Sequence, residues 1–187
     1  MSRFLLVLLA TSLLLSTPSR SHAADPAAAA KPAATPAALT DANIAAIVLA
    51  ANTIDVKNAE LALSKTKNAK VKEFAQRMVT DHNSVNAKAI ALAGKLGLKP
   101  EENQASRDLV KNTDATRKKI GKSSGKAFDR AYVDNEVAYH QAVLDLLDKT
   151  IVPAVQNAEL KDLLVAVHPA FVAHLEHAKM VQGELAK

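Results

Sequence analysis

Residues 71–96, VKEFAQRMVTDHNSVNAKAIALAGKL, decide the fold. Val71, Phe74, Met78, Val85, Ala89, Leu92 and Leu96 recur at three- and four-residue spacing, which lines one face of an α-helix. His82 falls inside that apolar stripe, where a solvated imidazole has no place. Either it is buried against a hydrogen-bond partner, or it faces something bound in the interior. Outward from this helix, Asn68 is a cap at its start, and Gly97 followed by Pro100 ends it.

A first helix is expected from Thr40-Asp41, read as cap and first turn, to about Lys65. Ile44, Ile47, Val48, Ile54, Leu61 and Leu63 give it a broad apolar face, with Asp55 near the centre and Glu60 on the flank. The turn to the second helix is short, so the two pack antiparallel. The polar stretch from Glu101 to Lys122 suits a short helix outside the domain. GKSSGK, residues 121–126, is one residue short of a phosphate loop and follows no strand, so Ser124 is better read as the cap of a third helix. That helix runs from about Lys126 to Thr150, stopped by Pro153, with Glu136 and His140 one turn apart on its inner face. A fourth runs from Asn157 to about Glu184 on a stripe of Leu160, Leu163, Val167, Phe171, Ala178 and Val181. His174 lies at the centre of that stripe, His177 at its edge and His168 outside, and Pro169 is expected to bend the helix. Four long amphipathic helices without a strand signal make an all-α four-helix bundle over 40–187, with one long crossover holding a short helix.

The ends and the composition bound the function. Arg3, the apolar run from Phe4 to Leu15 and the small-x-small triplet Ser21-His22-Ala23 read as an export signal over 1–23. Residues 24–39, rich in Ala and Pro, read as a disordered spacer. The apolar run is shorter than the roughly 20 residues that span a bilayer, and no later stretch is a transmembrane candidate, so a periplasmic or secreted protein is expected. The chain has no cysteine among its 187 residues, which excludes disulfides, thiolate metal sites and thiol catalysis. The formal charge of +5 falls to +3 without Arg3 and Arg20, and the basic residues are dispersed except around Arg117-Lys118-Lys119. With aromatics at 3%, too few for base stacking, nucleic-acid binding is disfavoured. No protein partner or oligomeric state follows from the sequence.

The inward polar groups share a depth. Asp55 and His82 stand about 12 and 15 residues from the turn at Lys67, a mismatch within helix-boundary error. Glu136 and His174 are about 18 and 20 residues from the turn near Ala154. If the crossover runs the length of the bundle, the second and third helices are parallel, and Asp55, His82, Glu136, His140 and His174 all converge at mid-height. That set offers oxygen and imidazole donors suited to a divalent transition metal: iron, zinc, copper or manganese. Tyr132, Tyr139 and Asp81 are expected partners for the outer imidazole nitrogens. The alternative is a polar network that satisfies itself and fixes helix register.

FAQRMVTDH (74–82), FDRAYVDNEVAYH (128–140) and HPAFVAHLEHA (168–178) resemble a bacterial family of exported ferritin-like domains of unknown function, often labelled "predicted outer membrane protein". The resemblance covers residue 40 to the C-terminus. It rests on Val79-Thr80-Asp81-His82, on His140, on Pro169 with His174-Leu175, and on an acidic residue in the first helix, Asp55. Glu136 departs from that pattern. The resemblance implies a ferritin-like bundle and no particular activity. Three functions therefore compete: a metal-binding bundle, a metal-dependent oxidase or peroxide-handling enzyme, and an envelope interaction module whose histidines are structural.

Overall fold

The structure, a computed structural model, describes residues 38–187. The expected leader, and the spacer up to residue 37, lie outside the described residues. The helices are α1 (Asp41–Lys65), α2 (Ala69–Lys95), α3 (Gln104–Ile120), α4 (Gly125–Leu146), α5 (Val152–Ala154) and α6 (Ala158–Leu185), with a π-helical turn (Leu147–Ile151) between α4 and α5. No strand occurs among the described residues.

Local chemistry sets most of the boundaries. Thr40 Oγ1 accepts from the Asn43 N–H at 3.1 Å, and Asn43 answers with its side chain to the Thr40 N–H, closing a capping box on α1. Asn68 accepts from the Lys70 and Val71 N–H groups to start α2. At the other end of α2, Gly97 takes φ +65°, and the Leu98 and Gly97 N–H groups return to the carbonyls of Ala93 and Gly94. Ser124 sits at the cap position of α4, yet its side chain makes no capping bond.

Pro153 does not stop the third long helix as expected. The chain continues through the π turn, where the Val152 N–H reaches Leu147 O, and on to Ala154. The wider turn shifts the hydrogen-bond register just before the residue that has no N–H to give. Pro169 lies within α6, which passes through it as one helix.

Long-range bonds fix the topology. Asn43 Nδ2 donates to Glu101 O at 3.0 Å, placing the start of the crossover beside the start of α1. Lys65 Nζ donates to Gly121 O, placing its end beside the end of α1. Helix α3 therefore runs alongside α1, over the outside of the bundle, and α2 and α4 point the same way. Asp41 accepts from the Gln156 and Asn157 N–H groups, both at 2.9 Å, and Lys95 pairs with Glu159. The start of α1, the end of α2 and the α5–α6 turn thus meet at one end.

The core is split along the bundle axis. One apolar half is built around Ile44, Ile47, Leu147, Ile151, Leu164 and Phe171, the other around Phe74, Met78, Phe128, Tyr132, Val133 and Val181. Leu164 and Leu175, which the sequence reading left off the inner stripe of α6, are buried. Between the halves lies a buried layer of ionisable side chains. Replacement of Asp41 by Ala removes two charge-assisted bonds at the start of α6 and is expected to cost about 1–2 kcal/mol, read as a lowered melting temperature.

Candidate metal centre

Asp55 on α1, His82 on α2, Glu136 and His140 on α4 and His174 on α6 all reach the interior at this layer, with at most 4% of each residue exposed. Asp55 Oδ2 lies 2.9 Å from His82 Nε2 and 3.2 Å from His140 Nε2. The three imidazoles pack against one another, ring centroids 5.1–5.7 Å apart. Donor atoms of His82, His140 and His174 lie within 4.8 Å of one another, as do those of Asp55, Glu136 and His140. The two groups share His140. The sequence reading places all five residues at one depth, and the structure brings all five together.

Each imidazole is fixed from outside by one nitrogen. Asn52 Nδ2 donates to Val48 O, which leaves Asn52 Oδ1 to accept from His82 Nδ1 at 2.7 Å. His140 Nδ1 lies 3.0 Å from the Glu136 carbonyl, an acceptor only, so Nδ1 carries the proton. His174 Nε2 meets the Asp81 carboxylate at 2.8 Å. The remaining nitrogens, His82 Nε2, His140 Nε2 and His174 Nδ1, are buried without an aligned hydrogen-bond partner, as are both oxygens of Asp55. This is how ligating histidines are held: the outer N–H anchored, the inner lone pair free.

Of the expected outer partners, Asp81 serves His174. Tyr139 instead donates to Ala51 O at 2.9 Å, and the Tyr132 hydroxyl is buried without a protein partner. Asn52 and Asn58, which the sequence reading missed, do part of that work. They stand three residues either side of Asp55, so N-x-x-D-x-x-N is a polar ladder on one helix face. Asn58 and Asn135 reach Glu136 Oε1. Phe171 stacks on His82 with a 17° interplanar angle. His168 pairs with Asp148 near the surface, and His177 rests against Phe74, so neither joins the cluster.

Burial alone would raise Asp55, but His82 and His140 outweigh it and hold the carboxyl at about 2. Burial, and then the Asp55 anion, push Glu136 well above the ordinary carboxyl range. One carboxyl is an anion; its neighbour keeps its proton. Burial lowers His140 despite Asp55, and lowers His174 to about 4 despite Asp81. A small cavity adjoins Asn52, Asp55, His82 and His140 under an aliphatic wall. It has room for one small ligand.

Residues 23–181 match DUF4142, a domain of unknown function. The chain belongs to that family. Curated proteins give no match. Among solved structures, a DUF305 protein from Streptomyces coelicolor, described as secreted, is similar at TM-score 0.65 and 14% identity, over 77% of this chain and 92% of that one. CopM in its Cu(II)-bound form is similar at TM-score 0.60 and 15% identity, over 79% of this chain and 98% of that one. At such identities the likeness is one of fold. No helix among the described residues of this DUF4142 protein is long and apolar enough to cross a membrane.

The titrations have opposite signs and predict a stability maximum in metal-free protein. His140 and His174 lie below the ordinary 6.5, so the unfolded chain binds the extra protons and stability rises with pH up to about that value. Glu136 lies above the ordinary 4.5, so the unfolded chain loses the proton first and stability falls with pH above it. With two histidines against one carboxyl, the melting temperature should climb from pH 5 to about 6.5 and decline beyond. Glu136→Gln should remove the decline, and thermal scans across pH check both limbs.

Proposed function

We propose that this DUF4142 domain is a ferritin-like metal-binding bundle that works outside the cytoplasm, holding one divalent transition metal between its four long helices. The observation that carries this is the set of three buried imidazole nitrogens without an aligned hydrogen-bond partner, two of which, His82 Nε2 and His140 Nε2, lie within 3.2 Å of the Asp55 carboxylate. With Nδ1 of His82 and of His140 committed to Asn52 and to the Glu136 carbonyl, Nε2 of each faces Asp55 Oδ2, and a cation at that meeting point would bond to all three. His82, His140 and His174 supply nitrogen and Asp55 supplies oxygen. Glu136 completes the donor set once its proton leaves.

Imidazole with carboxylate and no thiolate suits Cu(II), Zn(II) or Fe(II), and Mn(II) least, because affinity for such donors rises along the first-row series. The likeness to a bundle solved with Cu(II) accords with this reading, as does the leader expected over residues 1–23. A second reading, a redox enzyme acting on oxygen or peroxide, draws on the small cavity beside the donors, which leaves space for a non-protein ligand. Turnover of peroxide by iron- or copper-loaded protein, absent from the zinc form, would favour it.

Elemental analysis of untagged protein from its native compartment should find near-stoichiometric metal, lost in a His82→Ala/His174→Ala double variant. A cation at 100 times its dissociation constant adds about 2.7 kcal/mol, so the melting temperature should rise by roughly 5–10 °C in the wild type and not in the variant. A wild type that never takes up metal, even on reconstitution, would leave only a polar core that fixes register.

A further inference from the structure

The cluster is sealed on nearly every side. The partners of its outer atoms are Asn52 and Asn58, at 2% and 3% exposure, and a backbone carbonyl. Glu136 also meets Asn135, its half-buried neighbour on α4. His174 differs. Its Nε2 bonds to Asp81, whose side chain is 38% exposed, and Asp81 also meets Arg77 Nε at 3.3 Å, one turn back on α2 and 41% exposed. A continuous polar path therefore runs from solvent through Arg77 and Asp81 to His174, along the seam between α2 and α6.

From this path we infer that Asp81 and His174 Nε2 form an outer capture position for the divalent cation, from which it passes to the inner donors. The inference rests on the metal-binding reading above. An arriving cation displaces Arg77 from Asp81, and the neutral His174 ring changes tautomer, its one proton passing from Nε2 to Nδ1 by way of water, so that Nε2 presents a lone pair to the ion. The same ring carries Nδ1 on its inner edge, unpartnered and packed among the other imidazoles. As the ion moves to Nδ1, the proton returns from Nδ1 to Nε2, which restores the bond to Asp81 and closes the path behind the ion. Asp81 supplies attraction at the surface, and Arg77 guards it with like charge.

Stopped-flow uptake and release of Cu(II) by the full chain tests this. Asp81→Asn keeps size and a hydrogen-bonding group, and it lies where half-exposure makes folding tolerant. Association and dissociation rates should both fall about tenfold, with the dissociation constant within about threefold of wild type. Arg77→Ala should speed association. Asp148→Asn, which breaks the comparable surface pair with His168, should leave both rates unchanged. Unchanged association with faster release in Asp81→Asn would overturn the portal and reduce Asp81 to a residue that orients the His174 ring. Wild type that binds no copper at equilibrium would remove the metal site itself, whereas normal stoichiometry with unaltered variant kinetics removes only the portal.

Discussion

Asp55 Oδ2 stands within 3.2 Å of two imidazole nitrogens at the centre of the bundle, and the rest of the molecule is arranged around that contact. A carboxylate anion in a low-dielectric interior is costly unless a positive charge sits beside it. Asp55 is fully buried, so bulk water cannot supply the compensation. His82 and His140 supply part of it and hold the carboxyl at about 2. Burial, and then the Asp55 anion, keep the proton on Glu136, and burial disfavours charge on His140 and His174. Under the metal-binding proposal an ion would add positive charge beside Asp55 and bond to several of these donors together, whereas a proton satisfies one nitrogen at a time.

That constraint explains the scaffold. The buried polar groups of the layer come from all four long helices, so each helix must hold its depth to within a fraction of a turn for them to meet. The two apolar halves of the core grip the helices above and below the layer, and Val137 packs against both. The crossover matters for the same reason. By carrying the chain the length of α1 before α4 begins, α3 makes α4 parallel to α2 and brings His140 to the level of His82. A short hairpin in its place would reverse α4 and set its register anew from the other end.

The fold was largely legible because amphipathic periodicity, caps and a short turn all act locally. The five buried groups were legible too, since an ionisable residue on an apolar stripe stands out against its neighbours. What escaped has non-local causes. The widened turn at Leu147–Ile151 reflects how the end of α4 accommodates Pro153 while keeping Leu147 and Ile151 in the core, a packing demand that spacing does not show. Tyr139 reads as an imidazole partner on helix face alone, yet its ring reaches across to the carbonyl of Ala51. Asn52 and Asn58 were visible as a ladder about Asp55, but asparagine is common on helix surfaces. Only the neighbouring helix shows which asparagine is buried.

The anchoring pattern also bears on the choice between the proposed metal centre and a polar network that fixes register. A network that exists to satisfy itself ends with its buried donors and acceptors paired, since each orphan costs about 1–3 kcal/mol. Here each of the three imidazoles has one nitrogen paired with good geometry and the other buried without an aligned partner, as are both oxygens of Asp55 and Oε2 of Glu136. Within the three rings the unpartnered nitrogen is in each case the one opposite the anchored nitrogen, and the metal-binding proposal draws on that shared orientation, since one ion could bond to several such nitrogens together.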